Sequence, residues 1–141
     1  LKGITPIDDA DLTRKDYVDN AILTLASGKY TPTATVGTNL QSATALSMNY
    51  SRVGSVVTVH GQINIDASVS GEWSSLGLTL PVEPTANFSG PSDAGGVVGA
   101  DEGGLSGRVY ASTGNKEVRV TFESTSTAPQ SIGVAFSYIL E

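Results

Sequence analysis

The sequence predicts an all-β domain, either a sandwich or a barrel, preceded by one short helix. After residue 28, about eight short segments alternate apolar and polar side chains and are separated by turn residues, which is typical of antiparallel sandwiches and barrels. Glycine provides 16 of the 141 residues, and the many serines and threonines also suit strands and tight turns. Only the stretch from Leu12 to Gly28 shows the apolar spacing of a helix.

The predicted helix begins after Thr13, a residue that caps helices well, and ends at Gly28. Its apolar residues recur with helical spacing, at Val18, Ala21, Ile22 and Leu25. Since an isolated helix of this length is marginal in water, the apolar stripe must pack either on the sheet or against copies of itself. We therefore divide the chain into an extended lead-in with a stalk-end helix, residues 1–28, and a β domain, residues 29–141.

The predicted strands follow one another at short intervals through the β domain. Turns at Arg52–Ser55 and Thr113–Lys116 join two pairs of them into hairpins, with a glycine in each turn. Period-two alternation assigns Val57, Val59, Gly61, Ile63 and Ile65 to one core-facing side of the third strand. The predicted strands are Tyr30–Val36, Ala43–Val53, Val56–Asp66, Leu76–Leu80, Ala94–Ala100, Leu105–Ser112, Glu117–Glu123 and Ser131–Leu140.

The last predicted strand is apolar on both sides. Phe136 and Tyr138 belong to one face, with Ile132, Val134 and Leu140, while Ala135 and Ile139 make the other face apolar as well. A strand of this kind is normally covered on both faces. In a small sandwich the second cover is most simply a neighbouring subunit, so we place Phe136 and Tyr138 among the candidate subunit contacts.

Composition excludes several classes of function. The net charge is −6, which argues against binding to nucleic acid or to an anionic membrane surface. The sequence lacks an apolar run long enough to span a membrane. With no cysteine and a single histidine, His60, it offers neither a typical zinc-ligand set nor a serine–histidine–acid triad. We therefore predict no enzyme activity, no metal and no cofactor, and a glycosidase that uses two acidic residues is the disfavoured alternative.

Three side chains are candidates for contact with a ligand. Trp73, the sole tryptophan, falls in a polar loop where an aromatic ring can stack on a sugar, or can instead fold back over one end of the sandwich. Arg108 and Arg119 fall on neighbouring strands and on the same predicted face, so they could form a small anion site. The alternative for both arginines is cross-strand pairing with Glu117 or Glu123.

Several segments resemble proteins of tailed bacteriophages. The segment Leu12–Asp19 resembles one that recurs in tail fibres, where a fibrous stalk passes into a distal head. Further along, Gly28–Thr33, Tyr50–Gly61 and Leu78–Pro81 resemble a phage receptor-tip β domain. Together they look most like the C-terminal knob of the tail needle of short-tailed, P22-like phages, although the first segment is shared by many fibres and does not separate needle from fibre.

The resemblance implies a homotrimer. Three chains would share a coiled-coil stalk ending near Val18, Ile22 and Leu25, and each would contribute a jelly-roll sandwich like that of tumour-necrosis-factor heads. The knob would be the distal tip of the virion, contacting the host envelope during attachment and genome ejection. Since the chain starts at Leu1 rather than methionine, we expect the stalk to continue upstream. The alternative function is a carbohydrate-binding head that grips host polysaccharide through Trp73.

Overall fold

The computed structural model describes residues 25–100 and 105–140, and within these ranges the chain is almost entirely β-structure. The prediction of an all-β antiparallel fold is therefore confirmed. A single 3-10 turn, Pro91–Asp93, precedes the seventh strand, and no helix of the described ranges is long and apolar enough to cross a membrane. The strands are β1 (Leu25–Tyr30), β2 (Ala34–Val36), β3 (Leu40–Ala45), β4 (Met48–Val53), β5 (Val56–Ala67), β6 (Trp73–Leu78), β7 (Ala94–Ala100), β8 (Ser106–Ala111), β9 (Val118–Glu123) and β10 (Gln130–Ile139).

The strands form one continuous curled sheet in the order β1-β4-β5-β10-β7-β8-β9-β6-β2, with β3 also paired to β5. The pairings are nested along the chain, because β7 pairs with β8, β6 with β9 and β5 with β10. The last four strands lie in the order β10-β7-β8-β9, which is a Greek key. Nested Greek-key pairing is the connectivity of a jelly roll, and here it is built within a single sheet.

The long strand β5 explains why the predicted strand Ala43–Val53 is wrong. β5 has 12 residues; its first half pairs with β4 and its second half with β3, so the preceding chain must break between the two at Leu46 and Ser47. Met48 then fills the space over Gly61, where a Cβ atom would lie 2.3 Å from the Met48 Cγ atom. The inward face shifts by one residue across this break, because Ala45 and Met48 are both buried although they are three positions apart. The exposed Leu46 has the same spacing as Met48 and Tyr50, so the sequence pattern does not show the shift.

The core is built from the inward faces that the alternation predicted. On β5 the side chains of Val57, Val59, Ile63 and Ile65 are buried, and the residues between them face outward. On β9 the buried set is Val118, Val120 and Phe122. Because these strands bury one side and leave the other polar side in solvent, the sequence alone assigns each residue to the correct face.

The end of the predicted helix is wrong. Leu25–Tyr30 is strand β1, which pairs antiparallel with β4 in a register from Leu25 opposite Val53 to Tyr30 opposite Met48. In the ladder with β4, backbone N–H and C=O groups of Leu25–Tyr30 find hydrogen-bond partners. Strand pairing in the tertiary structure therefore outweighs the helical spacing of the apolar residues in this segment. Gly28 is thus a strand residue beside Tyr50, and the sheet extends further towards the N-terminus than residue 29. The rest of the predicted helix, with Val18 and Ile22, lies outside the described residues.

The last strand uses only one of its two apolar faces for the core of this chain. Phe136 is 3% exposed and Tyr138 is 1% exposed, which removes both from the candidate subunit contacts. The Tyr138 hydroxyl donates to the Val82 carbonyl at 2.7 Å and accepts from the Val82 N–H at 3.2 Å. Burial raises the pKa of Tyr138 to about 12. The face left open for a neighbour carries Ala135 and Ile139 instead.

Candidate functional site

A shallow pocket of about 480 Å³ lies on the outer face of the sheet, across β6, β9 and β8. The strand register creates it: Ser75 lies opposite Thr121, and Thr121 lies opposite Arg108, so the three side chains form a row across three strands. The outward side chains that line the pocket, above the buried Ser74, are Thr38, Trp73, Ser75, Arg108, Tyr110 and Thr121. The structure therefore brings together two of the three ligand-binding candidates, Trp73 and Arg108.

Trp73 faces solvent at one end of this pocket. It is the first residue of β6, so it belongs to a strand and not to the predicted loop. Its side chain is 62% exposed, which rules out the alternative that it covers one end of the sheet. A tryptophan this exposed presents a large flat apolar face next to polar groups, which is the usual character of a recognition surface.

A hydrogen-bond network beneath Trp73 holds the start of β6 in place. Asn39, in the left-handed region at φ 56, donates from Nδ2 to the Val69 carbonyl at 2.9 Å and to Ser74 Oγ at 3.0 Å. Its Oδ1 atom accepts from the Val69 N–H at 2.8 Å, and Ser124 Oγ donates to the Val69 carbonyl at 2.6 Å. These hydrogen bonds hold the segment before Trp73 against the rest of the sheet. They therefore fix the backbone from which the Trp73 ring projects.

Arg108 stacks on its neighbour along the outer face of β8. The guanidinium carbon lies 5.0 Å from the centroid of the Tyr110 ring, a cation–π contact. The predicted pairing of Arg108 or Arg119 with Glu117 or Glu123 does not occur: in residues 25–100 and 105–140 the one salt bridge joins Lys116 to Glu83 at 3.2 Å. The positive charge of Arg108 therefore faces the pocket without a carboxylate partner from the described part of the chain.

Arg119 lies on the same face, as predicted, but does not line the pocket. It sits opposite Tyr110 on one side and Gly77 on the other, one row away from Arg108. Its Nη1 atom lies close to Gly37, where a Cβ atom would come within 3.1 Å. The anion site expected from two arginines thus reduces to Arg108, with Arg119 beside it.

Four of the outward lining residues were not predicted from the sequence. Tyr110 follows Arg108 by two positions, and Thr121 shares the outward face of β9, so strand alternation could have found both. Thr38 and Ser75 meet only through the tertiary fold, where the Thr38 N–H donates to Ser75 Oγ at 3.0 Å. Their approach depends on Gly37, because a Cβ atom there would lie 2.5 Å from Ser75 Oγ.

His60 lies apart from this pocket. It faces outward on β5, which β10, β7, β8 and β9 separate from β6 in the sheet. Its surroundings form a second shallow groove with Gln62, Val97, Gly99 and Ala135. Within the described ranges, no group of three histidine, aspartate or glutamate side chains is arranged to hold a metal ion.

Comparison with known proteins finds a remote structural likeness. No family model matches the sequence, and no curated protein matches it significantly. Among solved structures the chain is similar to the attachment protein sigma1 of T1L reovirus, crystallised in complex with alpha-2,3-sialyllactose. The sequence identity is 12%, the TM-score is 0.49, and the alignment covers 83% of this chain and 67% of the other. A likeness this remote carries neither the ligand nor the assembly of sigma1 over to this chain.

Proposed function

We propose that this chain is the receptor-recognition head of a virion fibre, and that it binds a host-surface glycan in the Trp73 pocket. The observation that carries the proposal is the exposed Trp73 ring beside Arg108, Tyr110 and a row of hydroxyl groups. Sugars combine apolar C–H faces with many hydroxyls, so they suit a site with one aromatic platform and several small polar groups. The head acts by binding and has no catalytic role.

The virion assignment rests on the sequence. The fibre-like segment Leu12–Asp19 and the hairpin around Tyr50–Gly61 support a place at the distal tip of a bacteriophage tail needle or fibre. In that setting the head contacts the host envelope during attachment, before genome ejection. With a net charge of −6 it cannot rely on bulk attraction to an anionic bacterial surface, so recognition must come from short-range contacts such as those in the pocket.

We further propose that three copies of the chain associate through the outer face of β4, β5, β10 and β7. This face exposes Val53, Val56, Val97 and Ile139, with exposures between 43% and 66%. Val53, Val56 and Ile139 lie side by side across β4, β5 and β10, and Val97 lies farther along the same face beside Ala135. Exposed aliphatic side chains grouped on one face favour burial against another surface. Light scattering on the full chain should give three times its mass of 14.5 kDa. A stable monomer at micromolar concentration would contradict the trimer.

Replacing Trp73 with alanine tests the glycan-binding function. On an array of bacterial surface polysaccharides, Trp73→Ala should weaken binding by at least about tenfold, since aromatic anchors of recognition sites contribute about 2 kcal/mol or more. Trp73→Phe should retain part of the affinity because it keeps an aromatic face. Incubation with the bound polysaccharide should release no oligosaccharide.

The control is Val69→Ala. Val69 is 52% exposed in the loop before β6, its side chain is not among those that line the pocket, and it lies outside the face proposed for trimer contacts. This variant should bind as the parent does. Absence of glycan binding by the parent, or equal binding by the parent and Trp73→Ala, would overturn the proposed function.

A further inference from the structure

We propose that the pocket selects an anionic sugar, with its carboxylate or phosphate group on Arg108 and the adjoining ring on Trp73. This inference rests on the proposed glycan-binding function and adds the chemical class of the ligand. It follows from how the charges and hydroxyls are distributed around the pocket.

The pocket is a locally cationic site on an acidic protein. The whole chain carries 14 acidic against 8 basic side chains, yet no acidic residue is among those that line the pocket. Arg108 is exposed on β8 and has no carboxylate within 4.0 Å in the described part of the chain. An arginine without an internal partner keeps its full capacity to bind an external anion.

The contact with Tyr110 restrains Arg108 on the outer face of β8. The guanidinium carbon lies over the Tyr110 ring, 5.0 Å from its centroid, and the N–H donors of a guanidinium lie in one plane. A planar fork of N–H donors matches two oxygens of a carboxylate or a phosphate. The stack also reduces the conformational freedom that Arg108 would lose on binding.

The hydroxyl row continues from the arginine towards the tryptophan strand. Thr121 lies between Arg108 and Ser75 in the register, and strands are spaced by about 4.8 Å, so the row spans about 10 Å, enough for one or two sugar rings. Ser75 Oγ accepts a hydrogen bond from the Thr38 N–H at 3.0 Å. Its own proton is therefore available to donate to an oxygen of the ligand.

Glu123 favours one orientation of an anionic ligand in the pocket. It is exposed on β9 directly opposite Trp73, one row along the sheet from the row of Arg108 and Thr121. Its carboxylate repels an anionic group placed near Trp73 but can accept hydrogen bonds from neutral sugar hydroxyls. The charged end of the ligand is thus driven to Arg108, while its hydroxyl-bearing face lies on Trp73.

The test compares arrayed oligosaccharides that carry a carboxylate, a phosphate or neither, matched in length, using the full chain. The parent should bind anionic members at least tenfold more tightly than neutral ones, and the two anionic classes identify which group is recognised. Arg108→Gln should reduce this preference to within about twofold, because it should weaken binding of the anionic members far more than binding of the neutral ones. Arg108→Lys should restore part of it, because lysine keeps the charge but loses the fork.

The control is Arg119→Gln, which removes the same charge one row away on the same face and should leave the preference within about twofold. Equal binding of neutral and anionic members, both abolished by Trp73→Ala, would overturn the anionic ligand but keep the glycan site. A preference that survives Arg108→Gln would also overturn it. No glycan binding at all would overturn the glycan function itself.

Discussion

Gly96→Ala should lower the free energy of unfolding by about 1–3 kcal/mol, the usual cost of forcing extra volume into a closed contact. A Cβ atom at Gly96 would lie 2.2 Å from the Ala135 carbonyl oxygen and 2.4 Å from the Phe136 Cβ atom. One of these atoms is a backbone oxygen of β10 and the other is a Cβ atom, whose position is set by the backbone. A change of side-chain rotamer therefore cannot make room for the added methyl group. The strand β7 would have to move away from β10 and loosen the curl of the sheet.

The adjacent glycine provides the matched control. A Cβ atom at Gly95 would meet nothing within 4 Å, because this residue points to the outer side of the same strand. Gly95→Ala should therefore change the free energy of unfolding by less than about 0.5 kcal/mol, or stabilise slightly by restricting the unfolded chain. Urea denaturation of the two variants measures the difference. Equal effects would mean that β7 and β10 are not in such close contact.

Phe88→Ala should destabilise the fold by about 3–5 kcal/mol, as much as truncating an aromatic residue in a core strand. Phe88 lies in the loop between β6 and β7, yet it is only 2% exposed. Its ring meets Tyr138 edge to face, with 6.3 Å between centroids and an interplanar angle of 79°. Removing the ring would leave a cavity against Tyr138 at the centre of the sheet.

The backbone of Phe88 strengthens this expectation. Its N–H donates to the Asn115 carbonyl at 2.9 Å, and its carbonyl accepts from the Gly114 N–H at 2.9 Å, so the loop is tied to the β8–β9 hairpin. Phe88→Leu should retain most of the stability because it fills much of the same volume. The control is Val69→Ala, a loop residue that is 52% exposed and should cost less than about 0.5 kcal/mol. A small effect of Phe88→Ala in thermal or urea unfolding would contradict the role of the loop as part of the core.

The candidate site was only partly accessible to sequence analysis. Trp73 and Arg108 were found because their residue types are informative: a sole tryptophan in a polar segment and an arginine on an outward strand position. Their meeting in one pocket was not predicted, because β6 and β8 are joined through β9, which follows both of them in the chain. Asn39 holds the segment before Trp73 in place although it lies 34 positions earlier in the chain. No pattern in the residues around Asn39 predicts that role.

The alternation of apolar and polar residues is enough to predict the fold class and the core-facing side of most strands. That information is local, since the alternation along β5 or β9 belongs to a single strand. Three features depend on the tertiary fold: Leu25–Gly28 is a strand, Phe136 and Tyr138 face inward, and a particular set of side chains shares the pocket. These outcomes depend on which strands lie side by side. Strand neighbours are set by backbone pairing and by contacts such as that of Gly96 with β10, between residues far apart in the chain.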